Sequence, residues 1–416
     1  MTRIFDSVSG RWQATQPYMH DGKSWEKAMS DGEDSAVQFR SMFDPYIGKG
    51  TVLQRSVADM PLDPDSAKYA QYMWDWSPFR PNGAWGSRTS LNTSAYGTQP
   101  IHAYVVDSRD PACTFQQLNG VSIQTDQIEI DTYMRGSIPL PSWGVAAQNG
   151  DHGLAIYDRG TGIMRELFFA MKDKDGVWVA SGGYSVAEPD FKNLATTNYG
   201  LQQRRGLSNV AGMHNSLGFI GISEVLNGKI DHALTFTAAA LRMLNKDGTT
   251  RISWPARGAD GKLEHYMSGG RKWNESDPNR YTGDGVTPTH GQWGRLPISV
   301  DPLNDPRTGQ PYRPLTQILI RAAQTYGLVA TDTNLWCHAF NAEQGRTYAH
   351  IYGADPWAFD GLIDKKYRRP GEGRGQGLNI SDFPWDLTEW APIDWGRPSP
   401  DMNIRPDEYR PWVRKP

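Results

Sequence analysis

The residues best suited to chemistry in this chain are acids and histidines set in short, turn-bounded phrases. Gln127-Ile-Glu129-Ile-Asp131-Thr-Tyr133 reads as a strand. Strand side chains repeat every two residues, so Glu129 and Asp131 share one face. Paired carboxylates flanking a sugar bond are the machinery of glycoside hydrolysis, one as acid/base and one as nucleophile. Here Tyr133 stands where a further carboxylate of that face would be, and a polar strand face explains the pattern as well. Asp151-His152, Asp158, Glu166, Glu224 and Asp231-His232 form a second group. Carboxylate plus imidazole serves either a metal or general acid/base work. Their spacing matches no metal motif, since neither His152 nor His232 has a partner His at i+2 or i+4. Glu166 and Glu224 read rather as members of buried hydrogen-bonded pairs with Arg165, Arg242 or backbone. No Gly-x-Ser-x-Gly elbow occurs. No catalytic residue, metal or cofactor is therefore assigned; Glu129 and Asp131 remain the weak catalytic candidates.

The elements that must position these residues are short strands. The chain has 416 residues, with 43 Gly, 28 Pro, 16 Trp and 18 Tyr. Many Gly, Pro, Asn and Asp between apolar runs imply many turns. Strands are expected at 51–57, 102–106, 121–133, 153–157, 163–171, 177–182, 218–225, 232–238, 251–254 and 328–334. Asp158-Arg-Gly-Thr-Gly162 is a hairpin turn. Two helices are expected. One covers Asp63 to Met73; the other starts at Pro314 and ends before Gly327, with Leu315, Ile318, Leu319, Ala322 and Tyr326 on one face. This predicts a mainly β fold, a β-sandwich or jelly roll, with one or two helices and extended terminal arms.

Four segments follow. Residues 1–50 are an N-terminal hairpin docking segment, where Trp12 and Trp25 each follow a Gly-basic turn. Residues 51–310 form the β-sandwich body, and 311–364 a helix–strand extension of it. Residues 365–416 are a Pro/Trp-rich arm in which Trp385, Trp390 and Trp395 dock into grooves, on this body or on a neighbour. Trp143, Trp254, Tyr266, Trp273 and Trp293 lie by turns or in the long 266–290 loop. They are the candidate ligand-binding residues, because aromatic faces beside polar groups suit a sugar or a protein surface.

Bulk properties exclude several classes. A net charge of −3 argues against binding nucleic acid through phosphates. No apolar run is long enough to insert in a membrane, and the N-terminus does not read as a signal peptide. Cys113 and Cys337 read as two independent small residues, their pairing left open.

The order of phrases Ile138-Pro-Leu-Pro, Asp151-His-Gly-Leu-Ala-Ile-Tyr-Asp158, Thr161-Gly-Ile-Met-Arg-Glu166, Trp178, Ile220-Gly-Ile-Ser-Glu224, Gly228-Lys-Ile-Asp-His-Ala-Leu234 and Ile252-Ser-Trp-Pro-Ala256 resembles a β-rich module. That module occurs in uncharacterised actinobacterial proteins and in minor tail proteins of actinobacteriophages (siphophages). The resemblance covers about residues 138–340. The first 25 residues are similar to small hairpin units of siphophage tail tips, and the 127–133 strand resembles that of concanavalin-like glucanases. The resemblance implies a structural tail-tip protein of the virion that docks on other phage tail proteins as a homo-oligomer, a trimer for preference. It implies binding to a host cell-surface glycan or receptor. A carbohydrate-active enzyme cutting the host envelope, and a purely structural spacer, are the alternatives.

Overall fold

The computed structural model describes residues 2–6, 11–15, 42–43, 46–77, 89–93, 101–120, 136–147, 152–180, 182–187, 209–243, 245, 251–256, 258–260, 286–333 and 337–397. In chain order the first strands are β1 Thr2–Asp6, β2 Arg11–Thr15, β3 Thr89–Asn92, β4 Ile101–Val106, β5 Phe115–Gly120 and β6 Gly136–Pro139. Next come β7 Gly153–Asp158, β8 Ile163–Phe168, β9 Met171–Lys172, β10 Trp178–Ala180 and β11 Gly182–Ala187. The last are β12 Leu234–Ala238, β13 Trp293–Arg295, β14 Leu328–Thr333, β15 His338–Asn341 and β16 Glu389–Trp390. The helices are α1 Ser66–Trp76, α2 Ile222–Asn227, α3 Pro314–Thr325, α4 Arg346–Tyr352 and α5 Leu362–Tyr367. The described residues are thus mainly β with few helices.

β1 and β2 form an antiparallel hairpin with Phe5 opposite Trp12. Three larger sheets run β11-β8-β7-β4, β6-β5-β10-β9 and β16-β13-β14-β12-β15-β3. Each mixes directions: β4 runs parallel to β7, β5 to β10, β12 to β14 and β3 to β15. Short alternating runs alone suggest antiparallel hairpins. Parallel neighbours need long crossovers, and the 239–327 connection, which contains α3, supplies one of them.

Local sequence explains several elements. The turn from β7 to β8 closes on Asp158, whose carboxylate takes the Gly160 N–H at 2.9 Å and the Thr161 hydroxyl at 2.7 Å. Helix α3 begins with Pro314 at its first turn and buries Leu315, Ile318, Leu319 and Ala322. It stops at Gly327, whose φ of 81° is left-handed. A Cβ there would also lie 2.6 Å from the Gly294 carbonyl oxygen, so the site requires glycine twice over.

Three expected strands are corrected. Residues 51–57 form a 3-10 turn at Val52–Gln54, because Val52, Leu53 and Val57 all turn into one core. Residues 218–225 form the end of a 3-10 turn and most of α2. Glu224, third in that helix, reaches back to the Gly221 N–H at 3.0 Å, and Gly228 closes it in a left-handed cap. Residues 251–254 join no ladder; the Trp254 N–H instead donates to Asp394 at 2.8 Å.

The apolar side chains make two cores. In β4, Ile101, Ala103 and Val105 enter one, while Tyr104 and Val106 enter the other. In β7, Ala155 and Tyr157 oppose Leu154 and Ile156 in the same way. Every residue of both strands is buried. The β11-β8-β7-β4 sheet is therefore an interior partition with a core on each side. The six-stranded sheet contributes Leu234, Phe236, Leu328 and Trp390 to the first core and Val329 and Trp293 to the second. No helix of the described residues is long and apolar enough to cross a membrane.

Candidate functional site

Of the acids in the recurrent phrases, Glu166 faces the chain segment 209–220, and Asp151 lies outside the described residues. Glu166 projects from β8 with no exposure. It accepts the Ser216 N–H at 2.9 Å, the Asn215 N–H at 3.3 Å and the Ser216 hydroxyl. The His214 Nδ1 lies 3.7 Å from its Oε1. On the other side of the same segment, the Thr235 hydroxyl of β12 donates to the Gly218 carbonyl at 2.8 Å. One carboxylate thus fixes a turn that joins two sheets.

Glu224 does similar work within its own loop. Its oxygens accept Gly221 N–H at 3.0 Å and Asp231 N–H at 3.2 Å, and His232 Nε2 lies at 3.0 Å. Asp158 takes the Ser108 N–H at 2.9 Å besides its turn donors. Backbone and hydroxyl donors hold its carboxyl below the usual range, against the opposing effect of burial. The expected pairings of Glu166 and Glu224 with backbone are present.

Sequence reasoning missed further partners. Asp364 of α5 gathers N–H groups of Asp360, Gly375 and Gly377 at 2.8 Å each and pairs with Arg368. These donors outweigh burial and hold its carboxyl below the ordinary value. His290 is fully buried, with Nε2 3.4 Å from Asp260 Oδ1. Asn92, Thr235, Thr237, Thr331 and Asn341 form a buried amide–hydroxyl ladder across β3, β15, β12 and β14. Apart from the Asp360 and Arg368 contacts of Asp364, four residues away on either side, these partners are ten or more residues apart, so spacing carries little signal for them. Glycines at 375 and 377 two residues apart were the one local hint, for an acid cradled by bare backbone.

The aromatic candidates divide by depth. Trp254 and Trp293 are buried in the second core. Trp385 and Trp390 are buried in the first core, so this part of the C-terminal arm packs on its own body. Trp395 is half-buried against Trp293 at 6.0 Å, with the Arg55 guanidinium 3.7 Å over its ring. Trp143 is half-buried and stacks on the exposed His350 with ring centres 4.0 Å apart. Tyr104 fixes that pair. Its ring is 5.6 Å from Trp143, and its hydroxyl donates to the Val145 carbonyl at 2.9 Å while accepting the Val145 N–H at 2.8 Å. The Trp12 backbone lies in β2. The Trp12 side chain, Trp25, Glu129, Asp131, Tyr266 and Trp273 lie outside the described residues.

Cys113 and Cys337 form no disulfide with one another, and the Cys337 Sγ lies 3.3 Å from the Ser90 hydroxyl. Among the described residues no group of three or more His, Cys, Asp or Glu side chains could hold a metal ion. The Asp301–Asp305 turn is satisfied internally: Asp301 accepts Leu303 N–H at 2.8 Å and the Asn304 amide at 2.7 Å, and Asp305 pairs with Arg307 at 2.8 Å.

The buried histidines give a pH expectation. Burial, with Arg346 nearby, pushes His102 down to about 3, and burial pushes His338 to about 3, both from 6.5. Below about 6.5 the unfolded chain takes up protons at these rings that the folded chain refuses until about 3. Stability is therefore expected to fall through that window. Asp158 and Asp364, with folded values below the ordinary 3.8, extend the loss at still lower pH. Urea midpoints measured across the acid range check this; a flat profile would refute it.

Comparison with family models, with curated proteins and with solved structures finds no match.

Proposed function

We propose that this chain is a structural and binding component of a phage tail tip, presenting a rigid aromatic platform to a host cell-surface glycan. The observation that carries the binding part is the Trp143–His350 stack. Its rings are 4.0 Å apart, half-buried and exposed respectively, and Tyr104 clamps the loop beneath. A preset aromatic face loses little freedom on binding, and sugars stack their apolar faces on such rings. The tail-tip part is supported by the order of phrases between Ile138 and Ala256. The sandwich or jelly-roll reading belongs to the same proposal, with the partition and the six-stranded sheet as its layers. The β1–β2 hairpin bearing Trp12 is the docking piece toward other tail proteins, and the assembly is a homo-oligomer, read as a trimer.

The test is binding of the purified chain to isolated host cell-wall fractions, with released sugars assayed in parallel. Trp143→Ala is expected to weaken binding about tenfold or more while the melting curve stays close to wild type. Unchanged binding would remove the platform. Sugar release that is lost in Glu129→Gln would replace the binding reading with a hydrolase.

A further inference from the structure

His232 and His338 are both fully buried, but their ring nitrogens meet different partners. At His338, Nδ1 accepts the Ala239 N–H at 3.1 Å and Nε2 donates to the Met73 carbonyl at 3.0 Å. One acceptor and one donor are what a neutral imidazole offers. At His232, Nδ1 faces the Ala233 carbonyl at 2.8 Å and Nε2 faces Glu224 Oε2 at 3.0 Å. Both neighbours are acceptors. Glu224 already receives an N–H at each oxygen, the pattern of an ionised carboxylate. A neutral ring has a single N–H and can serve one of the two. The ring is therefore an imidazolium in a buried ion pair.

A separate chain segment lies on this pair. The Tyr46 ring stacks on His232 at 4.6 Å and 24°, and Phe43 packs at 5.6 Å. The Tyr46 hydroxyl donates to Leu217 at 2.8 Å. Gln54 donates to the Asp231 carbonyl at 3.2 Å, and the Ala233 N–H to the Leu53 carbonyl at 2.6 Å. His232 and its two neighbours are thus an anchor for residues 42–43 and 46–54.

We propose that the Glu224–His232 pair is a proton-operated latch: it holds residues 42–43 and 46–54 on the body while His232 is charged and releases them when the ring loses its proton. The acids near the ring, Glu224 and Asp231, favour its charged form, and the Lys229 ammonium beside Asp231 opposes it. Glu224 comes from α2, Asp231 from the same loop with Lys229 at 2.7 Å, Tyr326 from the end of α3 with its hydroxyl 3.4 Å from Asp231, and Tyr46 from the held segment. Burial by itself would push the ring down. The Glu224 charge and the hydrogen bonds to Glu224 and Ala233 overcome it, and the ring titrates above its ordinary 6.5. The latch contribution is therefore complete below about 6.5 and is lost as pH rises through the folded value. Deprotonation takes the imidazole donor from either the buried Ala233 carbonyl or the buried Glu224 carboxylate, and removes the cation from beneath Tyr46. The latch does not rest on the tail-tip reading.

Hydrogen exchange of the full chain, corrected for intrinsic rates and followed from roughly pH 6 to 10, tests it. Peptides over 42–57 are expected to lose protection by about tenfold or more, while peptides over α3 hold theirs. Nitrogen NMR of the imidazole, at neutral pH, is expected to show both His232 nitrogens protonated. Glu224→Gln is expected to move the opening down by about one pH unit or more. Protection of 42–57 that tracks α3 at every pH, or a neutral His232 ring near pH 6, would overturn the latch. The wild-type NMR result decides the matter even if the variant fails to fold.

Discussion

Trp385→Ala is expected to cost about 3–5 kcal/mol of folding stability, the range for removing a large buried aromatic. The side chain has no exposure. Its indole N–H donates to the Thr89 hydroxyl at 2.7 Å. Phe383, Phe236, His338 and Phe340 surround it with ring centres 4.8, 5.0, 5.0 and 5.4 Å away, the Phe340 ring stacked within 12°. Alanine would leave a void between β3, β12 and β15 that rigid strands cannot close. It would also leave a buried hydroxyl with fewer partners. Urea unfolding of the full chain measures the effect. A change within about 0.5 kcal/mol, the range of neutral surface sites, combined with weakened self-association, would instead assign this residue to a neighbouring subunit.

Glu166→Ala is expected to cost about 3–5 kcal/mol, for a different reason. Three donors converge on that carboxylate: the Ser216 N–H, the Ser216 hydroxyl and the Asn215 N–H. Each buried donor left without an acceptor costs about 1–3 kcal/mol. Glu166→Gln keeps one acceptor oxygen and is expected to fall between wild type and alanine. The midpoint and slope of urea unfolding report both variants. If Glu166→Gln leaves stability untouched but abolishes a sugar-releasing activity of the wild type, the carboxylate is an acid or base rather than a tie.

The local elements were legible where one segment contains its own instructions. Pro314, the apolar face from Leu315 to Ala322 and Gly327 specify α3 at both ends. Asp158 and Gly162 specify the β7–β8 turn in the same way. Helix α2 was missed because its apolar residues alternate like a strand over Ile220 and Ile222. The weightier cue was Glu224 three residues after Gly221, with Gly228 beyond. Parallel pairing was invisible for a deeper reason. β4 and β7 are separated by a long connection, and nothing in either strand names its neighbour or its direction.

The candidate site was legible in part. The phrases containing Glu166, Glu224 and His232 do mark polar convergence, and the assignment of their acids to backbone agrees with the geometry. What spacing could not give is the partner 50 residues away, such as Ser216 for Glu166. Tryptophans beside turns suggest an exposed ligand-binding face. Trp254 and Trp293 instead turn inward, because tight turns against a core present large rings to it as readily as to solvent. Trp143 alone among the described ligand candidates reaches the surface with a stacked partner.

The partition made by β4 and β7 has a mechanical consequence. Its two faces are shared between neighbouring cores, so a cut along it leaves no half with a finished interior. Separating the two cores must then strip that common wall. Two cores that share one wall are expected to give way together under tension, rather than as beads that lengthen one at a time.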